Sequence, residues 1–422
     1  MLRHTLFTHM HSGGRAAGVI NGDEAVPKYL YADGAIPEEE AEVKVLRRTL
    51  GFRQGVVHQL LKPSPNRVTP FCSHAEICGG CNWQHLSYSA QLYWKREILV
   101  HALFKYGIVS PPVPEVVPSP LLQGYRNKSE YAFSSEPELI FGFHPRDNKR
   151  TVFACDHCFL QPPHVHQIAK IISQKGTFRS LQIRTTTLGD TFCILGISQP
   201  DHTLFDQLKQ EIPIVNGWYY SIENDFIHFG GATHLEEKMD DLRFRYSPNS
   251  FYQPNPLQAI AIYRKIKEYA QPSGMETVYD LYTGIGTIAC CIAPEVKQVI
   301  GIEGNRTAIL DAQQNAIRNN IHNTHFIAGD ILQTFTPDFI NRRPKPHLIV
   351  LDPPRSGTLT EIKKAIIHAA PQKIIYVSCN PVSLAWDLKQ LCAGGYRITA
   401  IQPFDMFPHT HHVETVCLLE LL

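Results

Sequence analysis

From about residue 255 to the C-terminus the chain alternates between two hydrophobic periods, and that alternation constrains the fold more than any other feature. Short β-prone runs (ETVYDLY, KQVIGIE, THFIAGD, PHLIVLD, KIIYVS, YRITAIQP and TVCLLEL) are separated by segments of helical spacing. The latter are QAIAIYRKIKEYA, GTIACCIA, RTAILDAQQNAIRNN, TEIKKAIIHAA and VSLAWDLKQLCAGG. Strands that alternate with helices predict a doubly wound α/β domain, because parallel neighbours need a crossover that a helix supplies. Acids recur where the strands end: Asp280, Glu303, Asp330 and Asp352. Open α/β sheets bind ligands outside the carboxyl ends of their strands, so this row marks a binding crevice.

The rest of the chain reads differently. Residues 1–62 hold four or five short β-prone pieces broken by Gly, Asp and Pro, which predicts a small barrel of the OB type. A helix is expected at about 88–106, and PPVPEVVPSP at 111–120 reads as a linker. From there to about 250 the chain is rich in strands, with LGD at 188–190 as a hairpin turn. The expected division is therefore 1–62, 63–254 and 255–422. Forty basic residues balance thirty-nine acidic ones, so any surface suited to nucleic acid has to be local. No apolar run approaches the length of a membrane helix, and the N-terminus shows no apolar segment of a secretory signal; a cytoplasmic location is expected. Eleven cysteines in such a chain should then be thiols or metal ligands rather than disulfides.

Short motifs carry the chemistry. DLYTGIGT is a strand, a glycine-rich turn and a helix start, which lets backbone approach a ligand. Glu303 stands where α/β folds place an acid on a ribose, and Asp330 could face an adenine edge. LDPPRSG resembles the tetrapeptide of amino-methylating DNA enzymes, but Arg355 replaces the aromatic that would stack a flipped base. YVSCNP offers Cys379 in a polar turn after an apolar strand, a position suited to a nucleophile. C5 of a pyrimidine is too weak a nucleophile to take a methyl group until a thiolate adds at C6. The C5 proton must then leave, and Glu414 in HHVET is a candidate base. His409, His411 and His412 invite a metal reading, though shaping the loop that carries Glu414 suits them better. Cys72, Cys78 and Cys81 have ligand spacing, with Cys158 or Cys155 available as a fourth; spacing does not choose between zinc and an iron–sulfur cluster.

Together these residues resemble the RNA uracil-5 methyltransferases of the RumA/TrmA type. The resemblance runs through SPNRVTPFC, CGGCNWQHLSYSAQL, YRNKSEYAF, SPNSFYQPNP, DLYTGIGT, LDPPRSG, YVSCNP and DMFPHTHHVETV, in the family's order. It implies that Cys379 attacks uracil C6 and Glu414 removes the C5 proton. It places Gln253 on the methyl donor or the base, and Tyr282 and Glu303 on S-adenosylmethionine. Asp330 and Asp352 would then face the cofactor and the reacting base. Cys72, Cys78, Cys81 and Cys158 match the family's [4Fe-4S] ligands, with Cys155 a bystander. Residues 1–62 occupy the place of the RNA-binding TRAM domain. Cluster and TRAM together point to the branch acting on 23S ribosomal RNA, although some cluster-bearing members act on tRNA. A monomer without membrane association is expected. A nicotinamide oxidoreductase would leave SCNP, DPPR and Glu414 without work, and a non-catalytic iron–sulfur RNA-binding protein would leave Cys379 without any.

Overall fold

The computed structural model describes residues 2–20, 28–49, 52–134, 140–155, 157–176, 178–223 and 225–422. Strands β1 (Leu2–Met10), β2 (Ala16–Ile20), β3 (Lys28–Asp33), β4 (Glu40–Thr49) and β5 (Phe52–Lys62) close into a barrel in the order β1-β2-β3-β5-β4. Period-2 alternation turns Phe7, Leu30, Ala32, Ala41 and Val43 inward. Closure leaves no free strand edge. Trp83, Leu86, Ala90 and Ile98 join the same core from outside the barrel.

Helix α1 (Tyr88–Lys105) forms where the spacing predicts it. Ala90 and Ile98 pack on the barrel, whereas Leu99, Ala102 and Leu103 enter a core of the C-terminal domain. The 111–120 segment is not a free linker. Val113 and Val116 are buried, and Val117 bridges Phe404, with Val117 N donating to Pro403 O (3.0 Å) and Asp405 N donating to Val117 O (2.9 Å). Prolines keep the segment extended, and the valines between them supply an apolar face that straps it down.

The middle of the chain contributes β6 (Lys128–Ser134), β7 (Ile140–Phe143), β8 (Phe153–Ala154), β9 (Ser180–Thr185), β10 (Thr191–Gly196), β11 (Gly217–Ile222) and β12 (Asp225–Gly231). They form one sheet in the order β12-β11-β10-β9-β6-β7-β8. Helices α2 (Pro163–Ser173) and α3 (His202–Glu211) bury Ile168, Ile172, Phe205 and Leu208 against it. The expected hairpin turn joins β9 to β10, closed by Gly189 at φ 95°. A separate hairpin of β13 (Leu235–Met239) and β14 (Leu242–Tyr246) sends Leu235, Met239, Phe244 and Tyr246 into the same core as α4 (Pro256–Ala270).

The C-terminal domain is the expected α/β sandwich. In chain order it comprises β15 (Thr277–Leu281), α5 (Thr287–Ile292), β16 (Gln298–Glu303), α6 (Arg306–Arg318), β17 (Thr324–Ala328), α7 (Ile331–Thr334) and α8 (Pro337–Asn341). It continues through β18 (Leu348–Leu351), α9 (Thr360–Ala369), β19 (Lys373–Ser378), α10 (Pro381–Ala393), β20 (Tyr396–Phe404) and β21 (Glu414–Leu421). The sheet order is β17-β16-β15-β18-β19-β21-β20, parallel except that β21 runs antiparallel to both its neighbours. From β15 the chain winds outward to β17 and returns to β18, so a crevice opens between the ends of β15 and β18. Among the described residues no helix is long and apolar enough to cross a membrane.

Candidate active site

The turn after β15 is shaped by three left-handed residues: Tyr282 (φ 65°), Gly284 (φ 56°) and Gly286 (φ 79°). A Cβ on Gly286 would come within 3.0 Å of Ala312 and Phe326, whereas one on Gly284 would meet open space. Gly286 therefore allows helix and strand to pack closely, and Gly284 leaves the backbone accessible to a ligand. Asp280 holds the turn from beneath: its Oδ2 accepts from Thr283 Oγ1 (2.5 Å) and Ala289 N (3.1 Å). Burial pushes its pKa to about 7.

The row of acids divides by function. Glu303 lies across the mouth of the turn, Oε2 accepting from Gly284 N (3.2 Å) and Oε1 from Asn305 N (2.8 Å). Each oxygen keeps a lone pair for a ligand hydroxyl. Tyr282 shares a hydrogen bond with Thr358 Oγ1 (2.8 Å) at the same mouth. Asp330 is exposed and caps α7 through Gln333 N (3.2 Å). Asp352, just past β18, accepts from Gln253 Nε2 (3.3 Å), which brings Gln253 into the crevice.

Sheet register assembles the other wall. Ser378 pairs with Thr415 across β19 and β21, so Cys379 and Glu414 emerge side by side; Leu351 pairs with Tyr376, which sets Asp352 next to them. Burial first, and then the charges of Glu414 and Asp352, push the Cys379 thiol up to about 12, with Arg355 opposing. Burial and Asp352 hold Glu414 well above the ordinary carboxyl range, and burial raises Asp352 to about 6. The pocket thus keeps the Cys379 and Glu414 protons in place until something enters.

Comparison with known proteins agrees with this geometry. A family profile described as tRNA (Uracil-5-)-methyltransferase matches residues 221–421. An RNA methyltransferase of Bacteroides thetaiotaomicron is 36% identical, the alignment covering 93% of this chain and 96% of the relative. One from Porphyromonas gingivalis is 35% identical over 92% and 95%. The chain belongs to the RNA uracil-5 methyltransferase family. The solved structure of the Pyrococcus abyssi tRNA (uracil-54, C5)-methyltransferase, in complex with S-adenosyl-L-homocysteine, superposes with a TM-score of 0.77. It is 26% identical, over 99% of both chains.

In this methyltransferase the loop that delivers Glu414 is held from many sides. Lys95 of α1 forms a fully buried ion pair with Asp405 and donates to Phe407 O (2.9 Å); Tyr88 OH donates to Asp405 Oδ2 (2.8 Å). Asn255 Nδ2 donates to Met406 O (3.2 Å) and Tyr125 OH to Pro408 O (3.2 Å). The three histidines have separate hydrogen-bond partners, although the rings of His411 and His412 lie 4.1 Å apart. His409 N donates to Gln91 Oε1 (2.8 Å), and His411 N to Asn82 Oδ1 (3.2 Å). His412 Nδ1 accepts from Arg355 Nη2 (3.0 Å), since burial and then its cationic neighbours lower its pKa to about 3 and keep the ring neutral. Lys95, Asp405, Asn82 and Arg355 were not read as site residues from the sequence. A signal existed for Lys95: it lies on the helix face shared by Gln91, Ile98 and Ala102, where a charge needs a buried partner.

Cys72, Cys78, Cys81 and Cys158 line a single cavity of about 300 Å³ with Arg126 and Lys128, and Cys155 lines it too. Burial pushes Cys81 and Cys155 to about 12 and Cys158 to about 11. Gly80 N donates to Cys78 Sγ (3.3 Å). Among the described residues no three Cys, His, Asp or Glu side chains converge as ligands of a metal ion, the histidine loop included.

Proposed function

We propose that this protein transfers a methyl group from S-adenosylmethionine to C5 of a uridine in RNA, through a covalent bond between Cys379 and uracil C6. The observation that carries the reading is the strand register that sets Cys379 beside Glu414 and Asp352 at one crevice. The glycine turn and Glu303 suit the donor's ribose and amino-acid groups, and the donor supplies a methyl on a positively charged sulfur. Cys379 releases its proton to water and bonds to C6, moving the C5=C6 electron pair onto C5 and O4. The guanidinium of Arg355, which donates to neutral His412, is a cation whose field reaches Cys379 and offsets this charge. C5 then bonds to the donor's methyl as the methyl–sulfur bond breaks and the sulfur leaves neutral. Once C5 carries the methyl, Glu414, which has released its own proton to water after the cationic donor entered, takes the C5 proton; burial makes its carboxylate a stronger base than an exposed one. The released electrons reform C5=C6 and expel the thiolate. Gln253 and Asp352 hold the base, which reaches Cys379 only when flipped or unpaired.

Cys379→Ala should abolish both methylation and adduct. Glu414→Gln should stall with methylated RNA still bonded to the protein, seen as a slow band on a denaturing gel. RNA carrying 5-fluorouridine should trap the wild type, because fluorine cannot leave as a cation. Normal turnover by Glu414→Gln, or no adduct with the fluorinated RNA, would overturn the mechanism.

The target we favour is 23S ribosomal RNA, on the pairing of a small barrel with a cysteine cavity; likeness to the Pyrococcus tRNA enzyme favours tRNA instead. Mapping 5-methyluridine in both RNAs from cells lacking the gene decides. The cavity is also the proposed seat of a [4Fe-4S] cluster on Cys72, Cys78, Cys81 and Cys158. Four thiols lining one cavity are the residues that would hold such a cluster, and an amide donating to sulfur suits a thiolate ligand. Iron and sulfide in anaerobically purified protein test it; zinc alone would reject it.

A further inference from the structure

Helix α10 begins just past Cys379 and grips the loop that follows β18. Asn380 caps the helix, its Oδ1 accepting from Val382 N (3.1 Å), while its Nδ2 donates to Arg355 O (3.0 Å). Ser383 Oγ donates to the same carbonyl (3.2 Å). Further along, Asp387 Oδ2 accepts from Thr358 N (2.8 Å) and Tyr376 OH (2.6 Å), and its Oδ1 pairs with Lys363 of α9. Lys363 Nζ also donates to Thr358 O (3.0 Å). Asn380, Ser383 and Asp387 follow helical spacing, so one face of α10 makes all these contacts.

Asp387 and Lys363 are each only 2% exposed. A buried ion pair adds little net stability over apolar residues of the same volume, because both charges lose their water. This pair does something more specific: it fixes both backbone groups of one residue, Thr358 N on Asp387 and Thr358 O on Lys363. Gly357, at φ 82°, lets the loop come this near, since a Cβ there would fall 2.5 Å from Asp387 Oδ2. With its backbone fixed, Thr358 turns its hydroxyl to the donor crevice. Thr358 Oγ1 shares a hydrogen bond with Tyr282 OH (2.8 Å), and Tyr282 belongs to the glycine turn.

We propose that Thr358, held by Asp387 and Lys363, is a positioning residue for the methyl donor: its hydroxyl fixes Tyr282 at the mouth of the donor crevice. The inference rests on the donor site of the proposed function and deepens it, adding a support that acts through Tyr282. A tyrosine free to swing spends time in orientations that the donor cannot use, and affinity falls by that fraction. The same face of α10 holds Arg355 by its carbonyl. One helix therefore sets both the donor half and the base half of the site.

The test is a double-mutant cycle on the full chain, read by calorimetry of S-adenosylmethionine binding. Thr358→Val and Tyr282→Phe should each weaken binding by about three- to tenfold, the range of one neutral hydrogen bond. The two together should bind no more weakly than the weaker single variant, because both remove the same contact. Thr358→Ser keeps the hydroxyl and should bind as the wild type does. Unchanged affinity in Thr358→Val, losses that multiply in the double variant, or a Thr358→Ser variant as weak as Thr358→Val would each overturn the assignment. Asp387→Asn should melt lower and also bind the donor less tightly; a lower melting point with wild-type affinity would overturn the part given to Asp387. Methyl transfer plays no part in these readouts. A protein that shows this binding pattern but methylates no uridine would defeat the proposed reaction and leave the support of Tyr282 standing.

Discussion

Cys379 is held as a thiol by its surroundings, which has a measurable consequence. With the pKa pushed up to about 12, the thiolate fraction in the RNA-free protein should climb about tenfold per pH unit across the neutral and mildly alkaline range. Alkylation of Cys379 by iodoacetamide should therefore rise without a plateau up to about pH 10, and Arg355→Ala should slow it at every pH. A plateau near pH 8.5 would mean an ordinary thiol. Glu414 and Asp352 bear on stability. Their folded pKa values lie above the unfolded values of 4.5 and 3.8, so their contribution is complete below those values and is lost as pH rises through the folded ones, about 6 for Asp352. Glu414→Gln, which cannot ionise, should melt higher than the wild type at pH 8, and the gain should shrink towards pH 4. The same gain at both values would show that Glu414 is not strained by its charge. Cys379 and Glu414 were legible as residues because their motifs are short and local. Arg355 was noted only for the aromatic it replaces; its contact with His412 depends on a loop far along the chain.

At the scale of elements, the glycine turn and helix α1 do different work. Glu303 sits at the turn with a free lone pair on each oxygen, and charge-assisted hydrogen bonds contribute about 1.5–3 kcal/mol. Glu303→Ala should weaken S-adenosylmethionine by about ten- to a hundredfold in calorimetry; unchanged affinity would remove Glu303 from the donor site. Helix α1 is buried on two sides, which explains why its apolar residues wrap the helix rather than form one stripe. Lys95 is the exception inside it. Lys95→Met leaves Asp405 buried without its cation, a cost of about 3–5 kcal/mol. It should also loosen the loop leading to Glu414, lowering kcat. Adding Asp405→Asn should restore most of the stability in denaturant melts. If the single variant melts like the wild type, the pair does not anchor the loop.

Across the whole molecule, the loop between β20 and β21 is where the parts meet. It takes contacts from the barrel at Gly14, from the cysteine segment at Asn82, from α1 at Gln91 and Lys95, and from the residue preceding the middle sheet's β6 region at Tyr125. Asn82 is one residue past Cys81, so the lining of the cysteine cavity and the contact with the loop that carries Glu414 share a short segment. Asn82→Ala should reduce kcat by about tenfold while S-adenosylmethionine affinity stays unchanged, an effect of roughly the size of one lost hydrogen bond. A change in donor affinity instead would mean that the segment acts on the cofactor crevice.

The sequence by itself determined the elements and their class. Period-2 and period-3.6 patterns, turn glycines and caps are written within windows of ten to twenty residues, so barrel, helix α1 and the alternating C-terminal half could be read directly. Even the 111–120 strap carried its apolar valines openly, though not the partner they would find. Only the tertiary structure decided that Asp330 caps a helix while Glu303 faces the crevice, that Gln253 meets Asp352, and that Cys155 shares a cavity with the other four cysteines. It alone decided that β21 enters antiparallel and so brings Glu414 beside Cys379. Pairing of that kind depends on which distant faces bury one another best, a property of the whole packed chain that no local window contains.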